Sequence, residues 1–313
     1  MTRAFVFPGQ GSQAVGMGKE LALAFATARD VFAEVDEALK QNLSRLMFEG
    51  PESDLVLTEN AQPALMATSL AVARVIEKDG GLDLKSHVAF VAGHSLGEYS
   101  ALAAARAINL SDAARILKRR GVAMQRAVPV GVGAMAALLG TDIEAARAIA
   151  KEAEQGEVCD AANDNGGGQI VLSGHKTAVE RAIEVAAARG VKRAIMLPVS
   201  APFHCALMKP AADEMQEALA AITVSEPYVP LIANVSAAAV QDPSTIKQLL
   251  VEQVTGLVRW RECVLTMKEQ GVHELVELGA GKVLAGLTKR IDREITASSI
   301  GTPAEIEAFL KTK

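Results

Sequence analysis

Two kinds of apolar run divide this chain. Short unbroken runs fit buried strands, and longer runs with apolar residues at every third or fourth position fit helices packed on one face. Ala4 to Phe7 is the first short run. It ends in Pro8-Gly9-Gln10-Gly11-Ser12-Gln13, a loop that neither extends a strand nor opens a helix early. Helical periodicity follows over Lys19 to Lys40 and Ala61 to Lys78. Val88 to Ala92 is again short and β-prone, and beyond it Tyr99, Ala101, Leu102, Ala105 and Ile108 recur at helical spacing. A further helix is predicted from about Ser111 to Ala127, with Ala114, Leu117, Gly121 and Met124 on one side. Strands alternating with helices predict a mostly parallel sheet.

The pattern then changes. Gly133 to Leu139 reads as a strand, Asp142 to Glu154 as a helix capped by Thr141, and Val158 to Ala162 as a short strand. Asn163-Asp164-Asn165-Gly166-Gly167-Gly168 is a turn, and Gln169 to Leu172 the next strand. Lys176 to Arg189 is a helix closed by Gly190, followed by a strand over Val191 to Leu197. The order β-α-β-β-α-β is that of a ferredoxin-like unit. The expected fold is therefore α/β. A small ferredoxin-like subdomain over 129–197 is inserted into a large α/β-hydrolase-like unit made of 1–128 and 198–313. In the second half of that unit, helices are predicted over Met208 to Ile222, Ser244 to Gly256 and Trp260 to Gln270. Extended segments are predicted over Val229 to Val235 and Glu274 to Leu278. Gly279-Ala280-Gly281-Lys282 opens a last helix and is too short for a Walker phosphate loop.

Composition narrows the function. Half of the 313 residues are hydrophobic, enough for a sizeable core. A net charge of -5 argues against a nucleic-acid binder driven by phosphate neutralisation, and 4% aromatic residues argue against base-stacking platforms. Cys159, Cys205 and Cys263 show no metal-ligand spacing and read as thiols of a reducing compartment. The first apolar run is too short for a signal peptide, and no run approaches the roughly 20 residues of a membrane span. A soluble cytoplasmic protein without a metal site or membrane contact is expected.

The chemistry concentrates at Val91-Ala92-Gly93-His94-Ser95-Leu96-Gly97, a G-x-S-x-G sequence between the β-prone run and the helical one. Strand, tight turn and helix are the context of a nucleophile elbow. A serine hydroxyl needs a base to take its proton. His87 precedes the strand, the His94 side chain should point away from that of Ser95, and His175 belongs to the small subdomain. His204 and His273 remain. His204 follows a proline-stiffened loop where the chain re-enters the large unit, and His273 fits the order of an ordinary α/β-hydrolase. Donors for an oxyanion are available from the N–H of Leu96 and from the loop Gly9-Gln10-Gly11. Arg120 falls on the apolar side of its helix with Ile116, Ala123 and Met124, while Arg119 is turned about 100° away. An arginine there needs an anion, either a carboxylate ligand or a structural ion pair.

Together these residues resemble the malonyl-CoA:acyl carrier protein transacylase family of bacterial fatty acid synthesis. The resemblance spans the chain: Phe7 to Gln13, Gln62-Pro63-Ala64, Gly93 to Glu98, Arg120-Gly121 with Met124-Gln125, Pro198 to His204, and Glu277 to Lys282. It implies Ser95 as acyl acceptor and His204 as its base, with no acid partner. The imidazole is expected to be oriented by the backbone carbonyl of Arg259. It further implies oxyanion donors at Gln10 and Leu96, Arg120 on the malonyl carboxylate, and Gln62, Met124 and Phe203 lining the acyl pocket. Phe203 resembles the form that disfavours an α-methyl branch. Malonyl-CoA and acyl carrier protein are the implied partners, and no cofactor is implied. Lys192, Arg193, Lys282, Lys289 and Arg290 are candidates for a basic rim facing the acidic carrier protein. Two other functions fit parts of the pattern. A serine thioesterase would use His273 as base, and a noncatalytic carrier-protein docking module would not need the Ser95 and His204 pair.

Overall fold

The computed structural model describes residues 2–311. Ten strands occur among them: β1 (Arg3–Phe7), β2 (Phe90–Gly93), β3 (Gly133–Leu139), β4 (Cys159–Asp164), β5 (Gln169–His175), β6 (Arg193–Met196), β7 (Leu231–Ile232), β8 (Ala239–Val240), β9 (Glu274–Leu278) and β10 (Thr296–Ile300). They form two sheets. The larger has the order β10-β9-β1-β2-β7-β8, parallel except for the β7–β8 edge pair. The smaller is antiparallel, β4-β5-β3-β6, the strand order of a ferredoxin-like unit.

Sequence explains the layering. β1 and β2 are central in the large sheet and covered on both faces, so they read as continuous apolar runs. The helix Gly97–Ala104 is buried all round, which is why it is alanine-rich with no polar face. The helices Thr58–Lys78 and Leu110–Ala127 cross with backbones in contact at Gly121. A Cβ there would lie 2.5 Å from Glu59 Cα. The small sheet is tied to the large unit by a bridge between Asn163 and Val258 and by the Arg261–Asp164 ion pair.

Several boundaries differ from expectation. The segment Lys19 to Lys40 is two helices, Lys19–Ala24 and Ala26–Leu39, interrupted by Phe25 in an extended conformation. Asp142, not Thr141, caps the helix Ile143–Glu154 by accepting the Ala145 N–H. β4 extends through Asn163 and Asp164, so the turn is confined to the residues around Gly166, Gly167 and Gly168, all at positive φ. Only Leu231 and Ile232 of the 229–235 segment join a ladder. The helix Val283–Ile291 is not the last. β10 and the helix Pro303–Leu310 follow it. β10 is a polar edge strand, TASSI, with no apolar run to reveal it.

Candidate active site

Ser95 stands just past the end of β2, at the carboxyl edge of the parallel strands where ligands of open α/β sheets bind. Its φ of 54° is left-handed, a strained conformation for a residue with a Cβ. The flanking glycines make the turn possible. A Cβ on Gly93 would sit 1.9 Å from the Gly97 carbonyl, and one on Gly97 would sit 2.2 Å from the Phe7 oxygen. The loop after β1 is equally close, since a Cβ on Gly9 would approach the His94 oxygen at 2.7 Å. That contact brings the Gln10 backbone beside the elbow. Leu96 is the N-cap of the helix Gly97–Ala104, where N–H groups lack intrahelical acceptors.

His204 Nε2 lies 2.7 Å from Ser95 Oγ. Its Nδ1 lies 2.8 Å from the backbone oxygen of Gln253. A carbonyl only accepts, so Nδ1 carries the proton and Nε2 offers its lone pair to the serine O–H. The expected carbonyl of Arg259 is therefore corrected to that of Gln253. Arg259 caps the next helix, Trp260–Glu269, and its oxygen accepts the Cys263 N–H at 2.9 Å. Gln253 instead sits in the last turn of the helix Pro243–Thr255, where carbonyls have no intrahelical donor. The partial negative charge of that helix end also favours an imidazolium. His204 itself has a φ of 58°, a second left-handed residue at the site. Burial, followed by the nearby Arg120 charge, pushes its pKa down to about 3, so the free ring is neutral.

Arg120 is 1% exposed. Its guanidinium donates to Gln62 Oε1 at 2.8 Å, Gln253 Oε1 at 2.9 Å and Ser95 Oγ at 3.2 Å. All three acceptors are neutral, so Arg120 makes no direct salt bridge. Arg119 points outward to Glu214. Gln62 Nε2 donates to Thr58 Oγ1 at 2.9 Å and approaches Met124 Sδ at 3.8 Å. Thr58 in turn donates to Gln10 Oε1 at 3.1 Å. One polar network thus joins Gln10, Gln62, Met124, Arg120, Ser95 and His204. Phe203 is buried next to His204 in the core.

The remaining histidines do other things. His94 turns away from the hydroxyl and places Nε2 2.9 Å from Asn165 Oδ1, in the turn between β4 and β5 of the small subdomain. His87 is exposed, and the His175 ring lies 2.9 Å from the Val158 nitrogen. His273 is exposed just before β9, at the amino end of strands whose carboxyl ends carry Ser95. A five-residue strand separates the two levels by about 17 Å, which removes His273 as base. Of the expected basic rim, Lys282 is paired with Glu305.

Three site residues escaped the sequence. Asn234 Oδ1 accepts the Ser95 N–H at 2.8 Å, and its Nδ2 donates to the Gly93 oxygen at 2.7 Å. Gln253 Nε2 donates to the Ser95 oxygen at 2.9 Å and to Glu98 Oε2 at 2.7 Å. The third is Glu98, which lies in the segment Gly93 to Glu98 but had no role assigned from sequence. Gln253 was findable, since it shares the apolar stripe of Ile246, Leu250 and Val254.

A serine raised on a strand–helix bend and bonded to an imidazole, on a mostly parallel sheet, defines an α/β acyl-transfer enzyme. The acyl transferase domain family matches residues 4–301. The malonyl CoA-acyl carrier protein transacylase of Salmonella typhimurium is 47% identical, with 98% of each chain covered. The acyl-carrier-protein-S-malonyltransferase from Bartonella henselae superposes with a TM-score of 0.97 at 56% identity, covering 100% of this chain and 99% of that one. A malonyl-transacylase solved in complex with its type II PKS acyl-carrier protein gives 0.96 at 43% identity and 100% coverage of both. This chain belongs to the acyl transferase family and, within it, to the malonyl CoA-acyl carrier protein transacylases.

Proposed function

We propose that this chain moves the malonyl group from malonyl-CoA to the phosphopantetheine thiol of acyl carrier protein, supplying fatty acid elongation. The observation that carries the choice of acyl group is Arg120, a buried cation bonded only to neutral partners and within reach of Ser95 Oγ. No carboxylate touches the guanidinium directly, and the malonyl carboxylate supplies that missing contact.

The steps balance with the residues present. Ser95 gives its proton to His204 Nε2 and its Oγ attacks the thioester carbonyl carbon. The oxyanion is held by the N–H groups of Leu96 and Gln10. The C–S bond breaks, and coenzyme A leaves with the proton from His204. The phosphopantetheine thiol then gives its proton to His204 and attacks the malonyl ester. The C–O bond breaks and Ser95 recovers its proton. No cofactor enters this scheme. Gln62, Met124 and Phe203 line the acyl pocket in this reading. The separate sheets support 129–197 as an inserted unit and 1–128 with 198–313 as the unit carrying the nucleophile.

Brief mixing with malonyl-CoA followed by peptide mass spectrometry is expected to place a malonyl adduct on Ser95, discharged by added carrier protein. Steady release of free malonate, unaffected by carrier protein, would instead identify a thioesterase. Phe203→Ala is expected to raise methylmalonyl relative to malonyl transfer by roughly 5- to 150-fold, the range for about 1–3 kcal/mol of steric discrimination. An unchanged ratio removes Phe203 from the selectivity.

A further inference from the structure

Glu98 is 1% exposed on the wholly buried helix Gly97–Ala104. Its Oε2 accepts from Gln253 Nε2 at 2.7 Å and from the Asn234 backbone N–H at 3.1 Å. Its Oε1 is buried without a partner. The same Gln253 amide turns its oxygen to Arg120 Nη2 at 2.9 Å. A single glutamine therefore separates a buried carboxyl from a buried guanidinium. The other titratable groups around Glu98 are Tyr99, held protonated by burial with its pKa up to about 12, and Cys263, also held protonated by burial. His204 and His94 complete the cluster, both pushed toward the neutral form. With Tyr99 and Cys263 neutral, Glu98 is the formal anion that Arg120 feels in the free site.

From this arrangement we infer that Glu98 is the counter-ion of Arg120 in the free enzyme and takes up a proton when the malonyl carboxylate replaces it. The inference rests on the proposed malonyl reading of Arg120. Two carboxylates facing one guanidinium in a water-poor site repel, and the one without the direct contact protonates. Glu98 is already poised for this, since burial pushes it up to about 7. The proton goes to Oε1, because Oε2 is occupied by two N–H donors. Glu98 is then a positioning residue with a charge that follows the substrate. It makes malonyl selection pH-dependent. By linkage, the kcat/KM ratio of malonyl-CoA to acetyl-CoA falls as pH rises above about 7, by up to about tenfold per pH unit.

The test follows protons with an indicator dye in weak buffer at pH 7.5 during stoichiometric acylation by malonyl-CoA or acetyl-CoA. Mass spectrometry counts the Ser95 adduct. Both reactions release the same thiol, so its ionisation cancels in the difference. Malonylation is expected to take up about half to three-quarters of a proton more per adduct than acetylation, because a carboxyl with a pKa of about 7 is already about a quarter protonated at pH 7.5. Glu98→Gln keeps the acceptor for both N–H groups but cannot change charge, and is expected to form the malonyl adduct without that excess. An equal proton balance for the two substrates in the wild type overturns the inference. So does an excess that survives in Glu98→Gln, which puts the proton on His204. If Glu98→Gln does not fold, the wild-type malonyl-to-acetyl ratio from pH 6.5 to 8.5 decides. A fall of about tenfold or more supports the inference, and a flat ratio overturns it. Failure to form any malonyl adduct overturns the transfer reading and this inference with it. An adduct with no excess uptake overturns this inference alone.

Discussion

Arg120→Ala is expected to lower kcat/KM for malonyl-CoA by about two to three orders of magnitude and to leave acetyl-CoA within about threefold, because truncating one partner of a buried charge pair costs about 2–5 kcal/mol. Acetyl has no carboxylate, so it loses nothing at the distal end. It stands to gain at the other end, since the Arg120 charge is the second cause, after burial, that depresses His204. Removing the charge makes the imidazole a stronger base. Most of the malonyl loss should appear in the acylation step, because a carboxylate anchored on Arg120 holds the thioester carbonyl against Ser95 Oγ. Steady-state kinetics with both thioesters, with folding checked by thermal denaturation, reads the outcome. Equal losses for the two substrates would refute the carboxylate role and leave Arg120 as a strut for Gln62, Gln253 and Ser95.

What could be read in the chain, and what could not, follows from where each signal lives. The elbow was legible because its strand, glycines and helix are consecutive. The close approaches at Gly93 and Gly97 leave no room for another residue type. Arg120 was legible because an arginine on an apolar helix face contradicts its own pattern. The small sheet was legible from its order of strands and helices. The orienting carbonyl was not. Every residue has one, and which is free depends on where a helix happens to end. Gln253 lies in such a final turn, whereas the Arg259 oxygen begins the following helix, six residues further on. Asn234 was hidden for a related reason. The segment 229–235 reads as extended, but nothing in it singles out the asparagine, whose role is to hold the Ser95 N–H across 139 residues of sequence. β10 escaped because edge strands are kept polar, which erases the apolar run a sequence reader looks for.

His204→Ala is expected to slow acylation of Ser95 by about 10⁴-fold for malonyl-CoA and acetyl-CoA alike, the upper range for loss of a positioned base. Its signature is in the pH profile. The imidazole must be neutral to accept the serine proton. Burial first and Arg120 second hold its pKa at about 3, so the ring remains neutral well below the ordinary histidine value of 6.5. The acid limb of wild-type kcat/KM for acetyl-CoA, which reports the free enzyme, should therefore fall below pH 5. Arg120→Ala should move that limb upward, because the second cause is gone. A base held so low is a weak one, and the substrate corrects this. Once a malonyl carboxylate sits on Arg120, the repulsion that depressed His204 is cancelled, so the ring gains basicity in the complex where it is used. Stability carries the same sign. Between pH 6.5 and 3 the unfolded chain protonates this histidine and the folded chain does not, so stability is lost as pH falls through that window. His204→Ala should accordingly lose less thermal stability than the wild type between pH 6.5 and 5. Stopped-flow release of coenzyme A from pH 4.5 to 8, with denaturation over the same range, measures both effects. A wild-type acid limb near pH 6.5 would show an ordinary solvated histidine and overturn the account of a base kept neutral by burial and strengthened by its own substrate.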